Sequence, residues 1–77
     1  MSNETTINEV LKRVRESRGL SQELTAKAIN IPRPAYTQLE LGNRKLSFIE
    51  ACKWCDLMRY PIEKLKIRNE RTIQKLN

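Results

Sequence analysis

Histidine is absent from the 77 residues, and glycine (two), proline (three), cysteine (two), tryptophan (one), tyrosine (two) and phenylalanine (one) are scarce. Each shortage excludes something. Without histidine no side chain changes charge at its ordinary pKa between pH 5 and 8. A zinc ion would find only Cys52 and Cys55 as soft ligands, where structural sites use four. Two cysteines are also too few for a small secreted disulfide scaffold, so both are read as reduced thiols and no metal or cofactor is implied. No glycine-rich phosphate loop and no acidic pair placed to share a proton is present, which argues against an enzyme. Four aromatics do not make a stacking platform for single strands. No run of apolar residues exceeds two, so neither a membrane span nor the apolar core of a signal peptide is present, and the chain reads as soluble and cytoplasmic. At this length one small core is the most the chain can bury.

What is abundant is positive charge. Fifteen Lys and Arg against nine Asp and Glu leave a formal charge of +6, which points to an anionic partner such as a nucleic acid. No segment alternates with period two for long enough to form a sheet. The punctuation marks instead an all-α chain of about five short helices. Thr6-Ile7-Asn8-Glu9 is a capping box for a first helix whose apolar stripe is Ile7, Val10, Leu11 and Val14, and Gly19 stops it. Ser21 caps a second helix, Gln22 to Ile29, in which Leu24, Thr25, Ala26, Ala28 and Ile29 are expected to pack; Asn30 suits a left-handed turn residue. Pro34 suits the first position of a third helix closed by Gly42, with Ala35, Tyr36 and Leu39 inward and Pro34, Thr37, Gln38 and Leu41 outward. Asn43-Arg44-Lys45 is a basic loop. Ser47 and Glu50 form a second capping box, for a fourth helix running to about Met58, with Phe48, Ala51, Cys52, Cys55 and Met58 assigned to its inner face. Pro61 restarts a helix, and residues 66–77 form a basic tail or helix extension.

Two short helices joined by a tight turn, the second carrying an outward polar line and followed by a basic loop, form the helix-turn-helix arrangement, here over residues 22–41. The segment Gly19-Leu20-Ser21-Gln22, with Ala26, Ile31, Leu39-Glu40, Gly42 and Ser47, resembles the Xre-type, lambda-repressor-like family of regulators. The resemblance runs from about Leu11 to Leu65, within a domain of residues 1–65. It implies a regulator of transcription binding double-stranded DNA, as a homodimer on a pseudo-palindromic operator, with the third helix in the major groove. Carried over by position, Arg33, Pro34, Thr37, Gln38 and Leu41 would meet base edges, while Ser21, Gln22, Asn43, Arg44 and Lys45 would meet phosphates. Side-chain chemistry agrees for several: Arg suits guanine O6/N7, Gln suits adenine N6/N7, and Thr suits thymine. Arg15 and Glu40 match a pair that ties the first helix to the third. Pro34, lacking an amide hydrogen, would stiffen the entry to the recognition helix.

The candidates for a dimer surface are Trp54, equally suited to the core rim, with Ile62, Leu65 and Leu76, which share heptad a and d spacing with Asn69 and Thr72, and the adjacent Ile73. Cys52 and Cys55, a C-x-x-C string, are assigned to core packing. Tyr36 is expected as a core plug with its hydroxyl at the edge. Phage repressors, restriction-modification controllers and antitoxins share this outline. Two alternatives remain open: an antitoxin-like or adaptor module that holds a protein such as a toxin and binds DNA weakly, and a nonspecific binder of nucleic acid with steep salt dependence and no sequence ratio.

Overall fold

Thr6 opens the first helix of a computed structural model that describes residues 6–65. Five helices follow in order: α1 (Ile7–Ser17), α2 (Gln22–Ala28), α3 (Arg33–Leu41), α4 (Phe48–Met58) and α5 (Ile62–Leu65), with no strand among the described residues. The fold is all-α. Both capping boxes form. The Thr6 hydroxyl accepts from the Glu9 amide while the Glu9 carboxylate accepts from the Thr6 amide, and Ser47 and Glu50 repeat the exchange at α4. The Ser21 hydroxyl accepts from the Leu24 amide at 3.0 Å and starts α2.

The first four helices stop by one device. A residue with positive φ stands at each end (Gly19, Asn30, Gly42 and Arg59), and the next amide reaches back five residues. These bonds run from Leu20 to the Arg15 carbonyl, Ile31 to Ala26, Asn43 to Gln38 and Tyr60 to Cys55, so orphan carbonyls are satisfied as each helix ends. Leu20, Ile31 and Tyr60 then tuck against the core, closing three of the ends with an apolar contact.

The core is built from Val10, Leu11 and Val14 of α1, Ala26 of α2 with Ile29 at its C-cap, Tyr36 and Leu39 of α3, Ala51, Trp54, Cys55 and Met58 of α4, and Leu65. Helix α3 packs against both α1 and α2, and α4 closes the far side of α2. Several expectations are corrected. Phe48 and Cys52 are exposed, and the inner stripe of α4 is Ala51, Trp54, Cys55 and Met58, at i, i+3, i+4 and i+7. Trp54 is 0% exposed and Leu65 1%, so neither is available as a dimer surface. The indole is seated by a 3.2 Å hydrogen bond from its Nε1–H to the Tyr36 hydroxyl and an edge contact with Tyr60. That hydroxyl is therefore internal, not at the rim.

Helix α2 is rotated relative to its expected packing. Leu24 and Ala28 face outward, while Thr25 is fully buried with its hydroxyl donating to the Ser21 carbonyl at 2.8 Å, which removes the cost of hiding an unpaired oxygen. Pro32 is the N-cap of α3, so Arg33 is already helical and Pro34 occupies the second position instead of the first. Ile62 is partly buried, and Ile73 and Leu76 lie outside the described residues.

Candidate nucleic-acid interface

A buried carboxylate fixes where the outer face of α3 points. Glu40, with a side chain 3% exposed, accepts from Arg15 through both oxygens: Nε to Oε2 at 2.6 Å and Nη2 to Oε1 at 3.1 Å. The third guanidinium nitrogen of Arg15 donates to the Leu20 carbonyl at 2.7 Å, so one side chain of α1 grips both α3 and the loop into α2. Glu40 Oε1 also accepts from Gln22 Nε2 at 2.9 Å, and Gln22 Oε1 accepts from the Thr37 hydroxyl at 2.9 Å. Chemistry dictates these polarities. An ionised carboxylate only accepts, so the amide of Gln22 must turn its nitrogen to Glu40, which leaves its oxygen for Thr37. Burial pushes the Glu40 carboxyl up, but the hydrogen bonds from Arg15 and Gln22, with the nearby Tyr36 hydroxyl, together outweigh it and hold the group below its ordinary value. The bond to Glu40 raises Arg15, and burial raises the Tyr36 hydroxyl.

Around this hub the outer residues are placed as follows. Arg33, Pro34, Gln38 and Leu41 are exposed along α3, Leu41 at 61%, and Thr37 is half-buried because its hydroxyl is committed to Gln22. Asn43 Nδ2 donates to Gln38 Oε1 at 3.0 Å, which leaves the two amide hydrogens of Gln38 and one oxygen lone pair facing outward. Ser21 is exposed beside Gln22, and its hydroxyl hydrogen remains free for an anion. Lys45 is exposed and in no ion pair with another described residue.

Arg44 differs from its neighbours. Its Nη1 and Nη2 donate to Glu50 Oε1 and Oε2 at 3.1 and 3.0 Å, a fork against the carboxylate that also caps α4. Burial raises the Glu50 carboxyl; Arg44 and the Ser47 amide more than reverse this. Nothing in the sequence pattern signals that pair, because the partners stand six apart across a loop and share no helical register. The contact of Asn8 with the end of α3 is equally unsignalled. Asn8 faces Gly42, at 3.4 Å from where a Cβ would stand, and donates to the Glu40 carbonyl at 3.4 Å, joining the start of α1 to the end of α3. Arg18 ties the end of α1 to α4 through a 2.9 Å bond from Nε to the Met58 carbonyl. Among the described residues no cluster of His, Cys, Asp or Glu is arranged to hold a metal ion, and no helix is long and apolar enough to cross a membrane.

The profile of the helix-turn-helix family matches residues 11–65, most of the chain. The chain belongs to this family. Its type is the Xre-like, lambda-repressor-like one, a family of DNA-binding regulators of transcription and not of enzymes. The crystal structure of the restriction-modification controller protein C.AhdI from Aeromonas hydrophila is similar, with a TM-score of 0.72 and 25% sequence identity over 77% of this chain and 89% of that one. No curated protein matches the sequence.

Proposed function

We propose that this chain is a sequence-specific regulator of transcription that binds double-stranded DNA as a homodimer, with α3 of each copy in the major groove of a pseudo-palindromic operator. The observation that carries this reading is the exposed line of Arg33, Pro34, Gln38 and Leu41 on a helix locked to its neighbours through Arg15, Glu40, Gln22 and Thr37. Arg33 would read guanine, Gln38 adenine, and Leu41 with the Thr37 methyl the methyl group of thymine. Pro34 sets the entry angle. Ser21, the second amide hydrogen of Gln22, Asn43, Arg44 and Lys45 would hold phosphates on either side. The likeness to a restriction-modification controller adds weight to a regulatory role.

With Trp54 and Leu65 inside the core, Phe48 and Ile49 are the large apolar side chains left exposed on α4, at 58% and 67%, and they are the surface this reading assigns to the second copy. The same pair favours the alternative reading, an adaptor module that holds a different protein such as a toxin.

The deciding experiment is selection of bound duplexes from a random pool by the wild type and by the Arg33→Ala and Gln38→Ala variants. A two-fold symmetric motif with half-sites about one helical turn apart, relaxed at one position in the Gln38 variant at a cost of about 1–3 kcal/mol, supports the reading. Recovery without any enriched motif overturns sequence specificity, and no recovery overturns DNA binding and brings the adaptor forward.

A further inference from the structure

The basic loop contains two cations in different electrostatic states. Lys45 stands exposed and in no ion pair with another described residue, whereas Arg44 spends two of its five N–H groups on Glu50, whose side chain is 15% exposed. We infer that Glu50 is a positioning residue for DNA binding: it holds the Arg44 guanidinium in one plane and cancels its charge, so that Arg44 contributes to well-fitted complexes and hardly at all to loose ones. This rests on the DNA-binding reading above.

The physical argument has two parts. In a nonspecific complex a protein gains from mobile, screened cations that release counterions, about 0.9 in salt slope for each phosphate neutralised. An arginine already neutralised by a fixed carboxylate offers little of this, because a phosphate near it also meets the charge of Glu50. In a specific complex the phosphate position is set by contacts elsewhere. There the three N–H groups that Arg44 retains, held in a fixed plane, donate without side-chain ordering, and charge-assisted bonds of defined geometry are the strong ones. Glu50 itself cannot swing away freely, since its Oε1 also accepts the Ser47 amide at 3.1 Å and its removal would uncap α4. One residue thus sets both the start of a helix and how much of the loop's charge reaches arbitrary DNA.

The test uses the full chain and Glu50→Gln, which keeps the carbonyl oxygen needed for the capping box but removes the charge. Binding to a random duplex and to the selected motif is measured against salt concentration for the wild type, Glu50→Gln, Arg44→Ala, Lys45→Ala and the Arg44→Ala/Glu50→Gln double variant. On random duplex, Glu50→Gln is expected to steepen the slope by about 0.9 and to lower the ratio of specific to nonspecific affinity. Lys45→Ala should flatten the wild-type slope by about 0.9, and Arg44→Ala by much less, yet by the full amount once Glu50 is Gln. Equal flattening by Arg44→Ala and Lys45→Ala in the wild-type background overturns the inference, and that comparison does not depend on the Glu50 variant folding. An unchanged slope in a Glu50→Gln protein with a wild-type melting curve overturns it too. Wild-type binding without any preferred motif defeats the sequence-specific reading alone and leaves the slopes to decide the role of Glu50, while a wild type that binds no duplex at low salt sinks both.

Discussion

Glu40 is where burial, charge and hydrogen bonding meet on a single side chain. Removing it strands the Arg15 guanidinium inside the protein, and losing one partner of a buried pair costs about 3–5 kcal/mol, so Glu40→Ala should lower the urea midpoint severely. The pair also gives stability a pH dependence whose sign is fixed. The folded carboxyl lies below its ordinary 4.5, so its contribution is complete above that value and disappears as the pH falls through the folded pKa. Glu40→Gln, less stable at neutral pH, should therefore lose less than the wild type on acidification from pH 5 to 3, as denaturant midpoints across that range would record. At this scale Arg15 and Glu40 were legible only through family resemblance. Nothing in the spacing of 25 residues brings them together, and the Arg44–Glu50 fork had no signal of either kind. The resemblance marks Gln22 and Thr37 as expected DNA contacts, but their mutual bond depends on how closely α2 and α3 approach.

Helix ends were the most readable elements, because capping is local. Thr6, Ser21 and Ser47 begin helices, and Gly19, Asn30 and Gly42 end them, each from chemistry carried within four or five residues. Arg59 is the exception. It takes φ of +54° at the end of α4 without the permissiveness of glycine, and no sequence rule points to it. A left-handed residue other than glycine costs about 1–2 kcal/mol, partly offset because glycine loses more entropy on folding, so Arg59→Gly should gain about 0.5 kcal/mol, roughly 2–4 °C in a melting curve.

The inner face of α4 differs from expectation because two stripes fit its periodicity. One uses Phe48, Ala51, Cys52, Cys55 and Met58; the other uses Ala51, Trp54, Cys55 and Met58. Cysteine is small enough to satisfy either, and only the volume around Trp54, filled by Tyr36 and Tyr60, selects the second. The consequence is chemical. Cys52 is exposed and Cys55 is buried, its thiol pushed up to about 11 by burial and by the neighbouring Cys52. A thiol reagent should modify one cysteine per native chain and two in denaturant; two fast thiols in the native protein would return Cys55 to the surface.

At the scale of the whole molecule, the all-α class, the helix order and the position of α3 could be read from the sequence, since they follow from punctuation and from the resemblance over residues 11–65. The proposed association surface could not, because it depends on which apolar residues the core leaves behind. Ile49→Lys, at a position 67% exposed, should leave the melting curve nearly unchanged and shift sedimentation equilibrium towards monomer, whereas a wild-type association constant would move the contact off this face of α4.

Trp54 is the single tryptophan of the chain, fully enclosed, and its indole rests on a hydroxyl belonging to the helix that would enter DNA. The protein therefore carries its own optical gauge. Fluorescence from that ring reads the seating of α3 on α4 with no attached label. If the proposed DNA complex forms, emission that stays constant on binding would mean that α3 enters the groove without shifting in its socket, and a spectral change below the melting temperature would time the moment at which the socket opens.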